Sequence, residues 1–138
     1  MKTRTELFDF IRQQEVLYVA SVDGDGFPNI KAMFAPRRIE GDSIYLSTNT
    51  SSMRARQFME NPKASVYIVM GGEGIMLVGT VEVLQDQESK QSIWRDEDVK
   101  YYKEGVGDPD YCVFKFTAQK GRRYYAGVSE DFRLEELK

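Results

Sequence analysis

The sequence predicts a mainly β domain: six to seven short strands joined by hairpins and closed into a small antiparallel barrel, with helices at its ends and flanks. Three observations predict this class. Runs of β-branched and aromatic residues alternate with Gly- and Asp-rich turns, as where Val16–Val22 meets Asp23-Gly24-Asp25-Gly26. Helical patterning is confined to short stretches between those runs. The chain of 138 residues carries no internal repeat or linker, so residues 1–138 read as one domain, long enough to bury about two thirds of its unfolded surface.

Each element follows in order. Thr3 and Glu6 have the spacing of a capping box, and Leu7, Phe10 and Ile11 repeat at helical intervals, so a helix is expected over 4–14. Val16–Val22 is a strand and 23–26 its turn. A second strand is read over 29–38, a turn at Gly41-Asp42, and a third strand over 43–47. Polar residues 48–52 lead into a basic amphipathic helix that Asn61-Pro62 stops. Strands are expected over 64–70 and 75–84, joined at Gly71-Gly72. A helix is read over 86–102, with Ile93, Trp94 and Tyr101 as apolar anchors. A last hairpin, 111–117 with 122–127, turns around Lys120-Gly121. The acidic residues Glu130, Asp131, Glu135 and Glu136 read as a solvated tail helix.

Composition excludes several chemistries. The chain has no histidine, which removes the usual general base and the commonest metal ligand. Its single cysteine leaves no zinc site, and Ser–His and Cys–His catalysis are out. Cys112 lies in the apolar run Tyr-Cys-Val-Phe and reads as a buried, inert thiol. A net charge of −3 and a pI near 5.1 argue against a nucleic-acid binder. The cluster Arg122-Arg123-Tyr124-Tyr125 imitates a basic–aromatic surface but fits an edge strand guarded by charge. No apolar stretch approaches membrane-spanning length and the N-terminus has no signal-peptide core, so no membrane and a cytoplasmic location are expected. Chemistry must come from carboxylates, tyrosines, lysines or a bound organic cofactor.

The most informative segment runs from Ser47 to Pro62. A strand end, short polar residues and a helix start present unpaired backbone N–H groups and the positive end of the helix dipole, which attract anions. Hydroxyls of Thr48, Ser51 and Ser52 with the Arg54 cation would complete a phosphate cradle. The plainer alternative is an ordinary N-cap beside an arginine.

In order and spacing, several short motifs resemble one family. Gly26-Phe27-Pro28, Gly41-Asp42, Ile44-Tyr45-Leu46-Ser47-Thr48, Ser52-Met53-Arg54, Glu60-Asn61-Pro62 and Val78-Gly79-Thr80-Val81-Glu82-Val83 are similar to the pyridoxamine-phosphate-oxidase-like flavoproteins. The stretch from Lys90 through Trp94 to Gly107-Asp108-Pro109-Asp110 resembles their general stress protein branch. The resemblance implies an FMN-binding split barrel and a homodimer whose flavin groove both subunits share. It implies that Lys31, Ala32, Met33 and Phe34 line the flavin. Ser47 and Thr48 would contact the ribityl phosphate and Ser52 and Arg54 clamp it, with Asn49 and Ser51 completing the set. Trp94 or Tyr102 would reach the ring from the neighbouring subunit. Met53 replaces one of two basic residues usual at the clamp, so one cation is missing. Pro36 stands where the pyridoxamine phosphate oxidases carry a substrate lysine, and their C-terminal histidine is lacking, which argues against vitamin B6 oxidation. The expected function is an FMN-dependent oxidoreductase of unassigned small-molecule substrate, possible in a stress response; the alternative is a non-catalytic flavin or deazaflavin binder serving as reservoir or sensor.

Overall fold

The computed structural model describes residues 2–138 and builds one antiparallel sheet of eight strands with three α-helices around it. The strands are β1 (Val16–Val22), β2 (Pro28–Phe34), β3 (Arg38–Glu40), β4 (Ser43–Asn49), β5 (Lys63–Met70), β6 (Glu73–Leu84), β7 (Tyr111–Tyr125) and β8 (Val128–Arg133). The helices are α1 (Arg4–Arg12), α2 (Met53–Glu60) and α3 (Gln87–Ser92). The strand order is β2-β1-β5-β6-β7-β4-β3, and β8 pairs with β7. This is the mainly β, split-barrel architecture expected, with more strands than the sequence suggested.

Strand β7 organises the sheet. It pairs with β6 along most of its length, with β4 through 111–117 and with β8 through 120–125. Inward residues of β1, β4, β5, β6 and β7, among them Leu17, Leu46, Ile68, Leu77 and Phe114, share one core with Leu7, Phe8, Phe10 and Ile11 of α1. Thr3 caps α1 by accepting from the Glu6 N–H, as the spacing predicted. Ser52 caps α2 in the same way through the Ala55 N–H.

Five local expectations are corrected. The second strand ends at Phe34, because Pro36 cannot continue a ladder, and Arg38 begins a separate short strand. The helix read over 86–102 is α3 followed by a 3-10 turn, Asp96–Lys100. The chain extends at Arg95, whose N–H donates to the Asp98 carboxylate at 3.0 Å, so a tertiary ion pair described below overrides the helical pattern. The last hairpin turns at Ala126-Gly127, both with positive φ, and not at Lys120-Gly121. Gly121 is instead mid-strand, and a Cβ there would lie 2.5 Å from the Phe132 ring. Consequently Arg122–Tyr125 is no edge strand, being paired on both sides, and the acidic tail is β8 with a 3-10 turn, Leu134–Glu136.

Two consequences position the site. First, β2 and β4 approach one another without pairing, so the barrel is open along that seam. The Ala35 N–H donates to the Glu15 carbonyl at 2.9 Å. By the alternation of an antiparallel ladder, Lys31 and Met33 also turn their backbone groups toward β1, while Ala32 and Phe34 turn theirs to the open edge. Second, the outward face of β1 and β2 is apolar and uncovered: Ile30 is 71% exposed, Phe34 84% and Tyr18 41%. Among the described residues no helix is long and apolar enough to cross a membrane.

Gly79 is where β6 shifts register against β7, and a Cβ there would sit 1.9 Å from the Thr117 carbonyl oxygen. Gly79→Ala should therefore lower stability by about 1–3 kcal/mol, through backbone displacement and not lost contact. Urea unfolding measures it; an unchanged midpoint would refute this close approach.

Candidate functional site

The open seam forms a groove of about 600 Å³, within the range of small-molecule sites. Its floor comes from β2 (Lys31, Ala32, Met33, Phe34) and its far wall from the end of β4 (Ser47, Thr48, Asn49). Arg54 enters from the first turn of α2. Val16, Ala35, Arg37, Asp98, Tyr101, Tyr102 and Asp110 complete the lining.

Arg54 is the unusual member. Its Nε is buried and has no hydrogen-bond partner, and the side chain joins no ion pair among the described residues. Burial lowers its pKa below the ordinary guanidinium value, yet arginine stays charged at every physiological pH. A half-buried cation without a counterion costs stability unless something compensates it. Lys31, on the floor, is exposed and likewise pairs with no carboxylate.

Arg37 and Asp98 are the opposite case. The guanidinium makes two parallel bonds of 2.8 Å to the Asp98 carboxylate, and Arg37 Nη1 also donates to the Ile93 carbonyl at 3.1 Å. Arg37 holds the Asp98 carboxyl below its usual range, and Asp98 raises Arg37 in return. This pair ties the exit of β2 to the 3-10 turn that leads into Tyr101 and Tyr102. The Tyr102 hydroxyl donates to the Thr48 carbonyl at 2.9 Å, and burial pushes it up to about 12, so it remains a protonated donor.

The expected site residues divide. Lys31, Ala32, Met33, Phe34, Ser47, Thr48, Asn49 and Arg54 line the groove. Ser52 is occupied as the cap of α2. Ser51 lies outside the lining and is engaged by Asp110, which accepts from its N–H at 2.9 Å and its hydroxyl at 3.2 Å. Trp94 does not line the groove of its own chain; it packs against Tyr102 and Tyr111, with ring centroids 6.4 and 5.1 Å away. Tyr102, expected from a neighbouring subunit, lines the groove of its own. Cys112 is fully buried, and burial raises its thiol to about 12, as its apolar run implied.

Sequence reasoning missed Arg37, Asp98 and Asp110 as wall residues. Nothing local announces a pair separated by 61 positions. Asp110 had a signal, the Gly-Asp-Pro-Asp stretch, but its partners Thr50 and Ser51 are 59 to 60 positions away.

The sequence pattern described as pyridoxamine 5'-phosphate oxidase matches residues 3–125. A solved structure from Clostridium acetobutylicum, of a protein related to general stress protein 26 of B. subtilis in the pyridoxinephosphate oxidase family, is 34% identical. That alignment covers 97% of this chain and 96% of the other, with a TM-score of 0.85. General stress protein 26 from Bacillus anthracis is 20% identical over 91% of this chain and 94% of that one, with a TM-score of 0.73. A heme binding protein from Mycobacterium smegmatis is 18% identical, covering 91% of this chain and 57% of that one, with a TM-score of 0.71. The last two speak for fold alone. No curated protein matches the chain.

Because Asp98 is held low in the folded state, its stabilisation is complete above the ordinary carboxylate range, near pH 4, and is lost as pH falls from there through the lower pKa of the folded state. Asp98→Asn should cost about 3 kcal/mol at pH 7, and the gap to the parent protein should narrow toward pH 3. Urea unfolding at both pH values measures it; an equal gap would show the ion pair contributes nothing specific to charge.

Proposed function

The chain belongs to the pyridoxamine 5'-phosphate oxidase family, in its general stress protein 26 branch, and on that premise we propose that the β2–β4 groove binds FMN and that the protein is a flavin-dependent oxidoreductase for a small molecule. The observation that carries the reading is Arg54, a half-buried cation whose Nε faces no acceptor. A phosphate would supply the missing partner, at the start of α2 where the first N–H groups and the helix dipole also favour an anion.

The rest of the groove suits the rest of the cofactor. FMN joins a doubly charged tail to a flat ring system edged with hydrogen-bonding atoms. Lys31 and Arg54 would hold the tail, with Thr48 and Asn49 beside it. The free edge of β2 offers the ring backbone N–H and carbonyl groups at Ala32 and Phe34, and Val16 and Met33 offer apolar surface. When bound, the flavin would supply hydride and one-electron chemistry; the protein supplies orientation and electrostatics. Tyr102, pinned to Thr48 and protonated through neutral pH, acts as a wall and not as a proton source. The Mycobacterium smegmatis neighbour suggests heme as a rival occupant. Against it, this chain has no histidine for an axial ligand and Cys112 is fully buried, so a heme would have to be held by a tyrosine or methionine of the groove.

The same reading includes a homodimer. A second copy covers the exposed apolar face of β1 and β2, where Ile30, Ala32 and Phe34 stand in register with Ala20, Tyr18 and Val16. Phe34 belongs both to this face and to the groove, so assembly and cofactor binding share a residue.

Freshly purified protein should show the oxidised-flavin spectrum and release FMN by mass; a single deazaflavin band or a Soret band would replace FMN with another cofactor. Arg54→Ala should weaken FMN binding about tenfold or more. The flavin-free variant should melt no lower than the parent, because an uncompensated charge has been removed. Equal FMN affinity in both proteins would refute the clamp. Ile30→Glu should yield monomers in sedimentation velocity and release flavin; a dimer that survives it would place the interface elsewhere.

A further inference from the structure

Asp110 stands where the tail cradle would otherwise be most generous. Its carboxylate accepts from the Ser51 N–H at 2.9 Å, the Ser51 hydroxyl at 3.2 Å and the Thr50 hydroxyl at 3.0 Å. Three donors beside the groove are thereby already satisfied by an anion of the protein itself. The segment behind Asp110 is anchored: its N–H donates to Asp108 Oδ1 at 2.9 Å, and the buried Lys90 amine donates to the Asp108 carbonyl at 2.9 Å. The carboxylate is thus a built part of the wall.

Its effect follows from the charges around it. Arg37 and Asp98 neutralise one another, which leaves Lys31 and Arg54 as free cations in the groove and Asp110 as the opposing carboxylate. The loop does not depend on that carboxylate alone. The Thr50 N–H donates to the Asp110 main-chain carbonyl at 2.8 Å, and the Ser52 N–H to the Asn49 carbonyl at 3.2 Å. To the three contacts it accepts, the side chain adds a full negative charge.

We propose that Asp110 sets the tail specificity of the groove: by occupying the Thr50 and Ser51 donors and opposing a dianion, it keeps the phosphate from adding much to flavin affinity, so that the flavin exchanges. The proposal rests on the flavin reading above and concerns which part of the flavin supplies the affinity. Like-charge juxtaposition at a binding site is expensive, whereas the oxidised flavin ring is neutral and gives the carboxylate no like charge to oppose.

The test compares FMN with riboflavin, which shares the ring and lacks the phosphate, on the parent protein and on Asp110→Asn. Asparagine with its oxygen in place of Oδ1 keeps the acceptor that the Ser51 N–H and the Thr50 hydroxyl share, and the Ser51 hydroxyl can rotate to accept from its amide, so the shape is retained. Parent protein should bind the two flavins within about tenfold of each other. Asp110→Asn should tighten FMN about tenfold and leave riboflavin unchanged. Asp110→Ser carries the same expectation should the asparagine variant fail to fold. A ratio that stays constant or moves against FMN overturns the proposal and leaves flavin binding standing. Parent protein that binds neither flavin overturns the flavin reading and this proposal with it.

Discussion

The barrel fails to close between β2 and β4, and the rest of the site follows from that one missing ladder. A strand edge buried without partners would leave every second N–H and carbonyl unsatisfied, at a cost comparable to a lost hydrogen bond for each. Natural sheets cover, charge or twist such edges. Here the edge of β2 borders a groove about 600 Å³ in volume, where solvent or a ligand can satisfy it. The opening is maintained by covalent and packing constraints. Pro36 ends the β2 ladder, and the Arg37–Asp98 pair then fixes the departing chain to the 3-10 turn on the other side. Tyr102 extends the same wall to Thr48. The seam is held apart at a defined width by groups whose charges and donors are otherwise satisfied.

Against that satisfied frame, the unsatisfied groups stand out. Proteins pair buried charge, and Arg37, Arg123 and Asp98 do so here. Arg54 does not. Half-buried and without a carboxylate among the described residues, it is the candidate for a bound anion. The same test sorts the Arg122-Arg123-Tyr124-Tyr125 cluster. Arg122 pairs with Asp131, and Arg123 with Glu73 and Glu130, so a cluster that looks nucleic-acid-binding in sequence is neutralised within the sheet.

How far the sequence could be read depended on the range of the forces involved. Local signals were legible. The caps at Thr3 and Ser52 and the Val16–Val22 strand follow from residues within one turn or one pleat of each other. The expected site was legible in part as a position: Thr48, Asn49 and Arg54, read from a strand end and a helix start, line one groove. Two features defeated local reading. Gly121 looked like a turn glycine, yet it is small because Phe132 packs where a Cβ would stand, a contact made across β7 and β8. Ser51 looked like a phosphate ligand, yet Asp110, 59 positions away, had taken both its donors. In each case the residue type suited two roles, and only the fold determined which.

That ambiguity bears on how cofactor sites of this kind evolve. A cradle built from short hydroxyl residues at a helix start has more donors than one phosphate requires, and a wall loop can place its own carboxylate among them without disturbing the strands. Under the proposed flavin reading, affinity for the tail can then be tuned by one side chain on a loop, while the edge of β2, fixed by the sheet register, stays the same. In the proposed dimer the constraint is tighter still, because Phe34 faces both the groove and the copy beyond it. Changes on β2 would alter assembly and ring binding together, whereas changes at Asp110 touch neither. Loop 104–110 is consequently the place where such a protein can change how firmly it holds its ligand at the least structural cost.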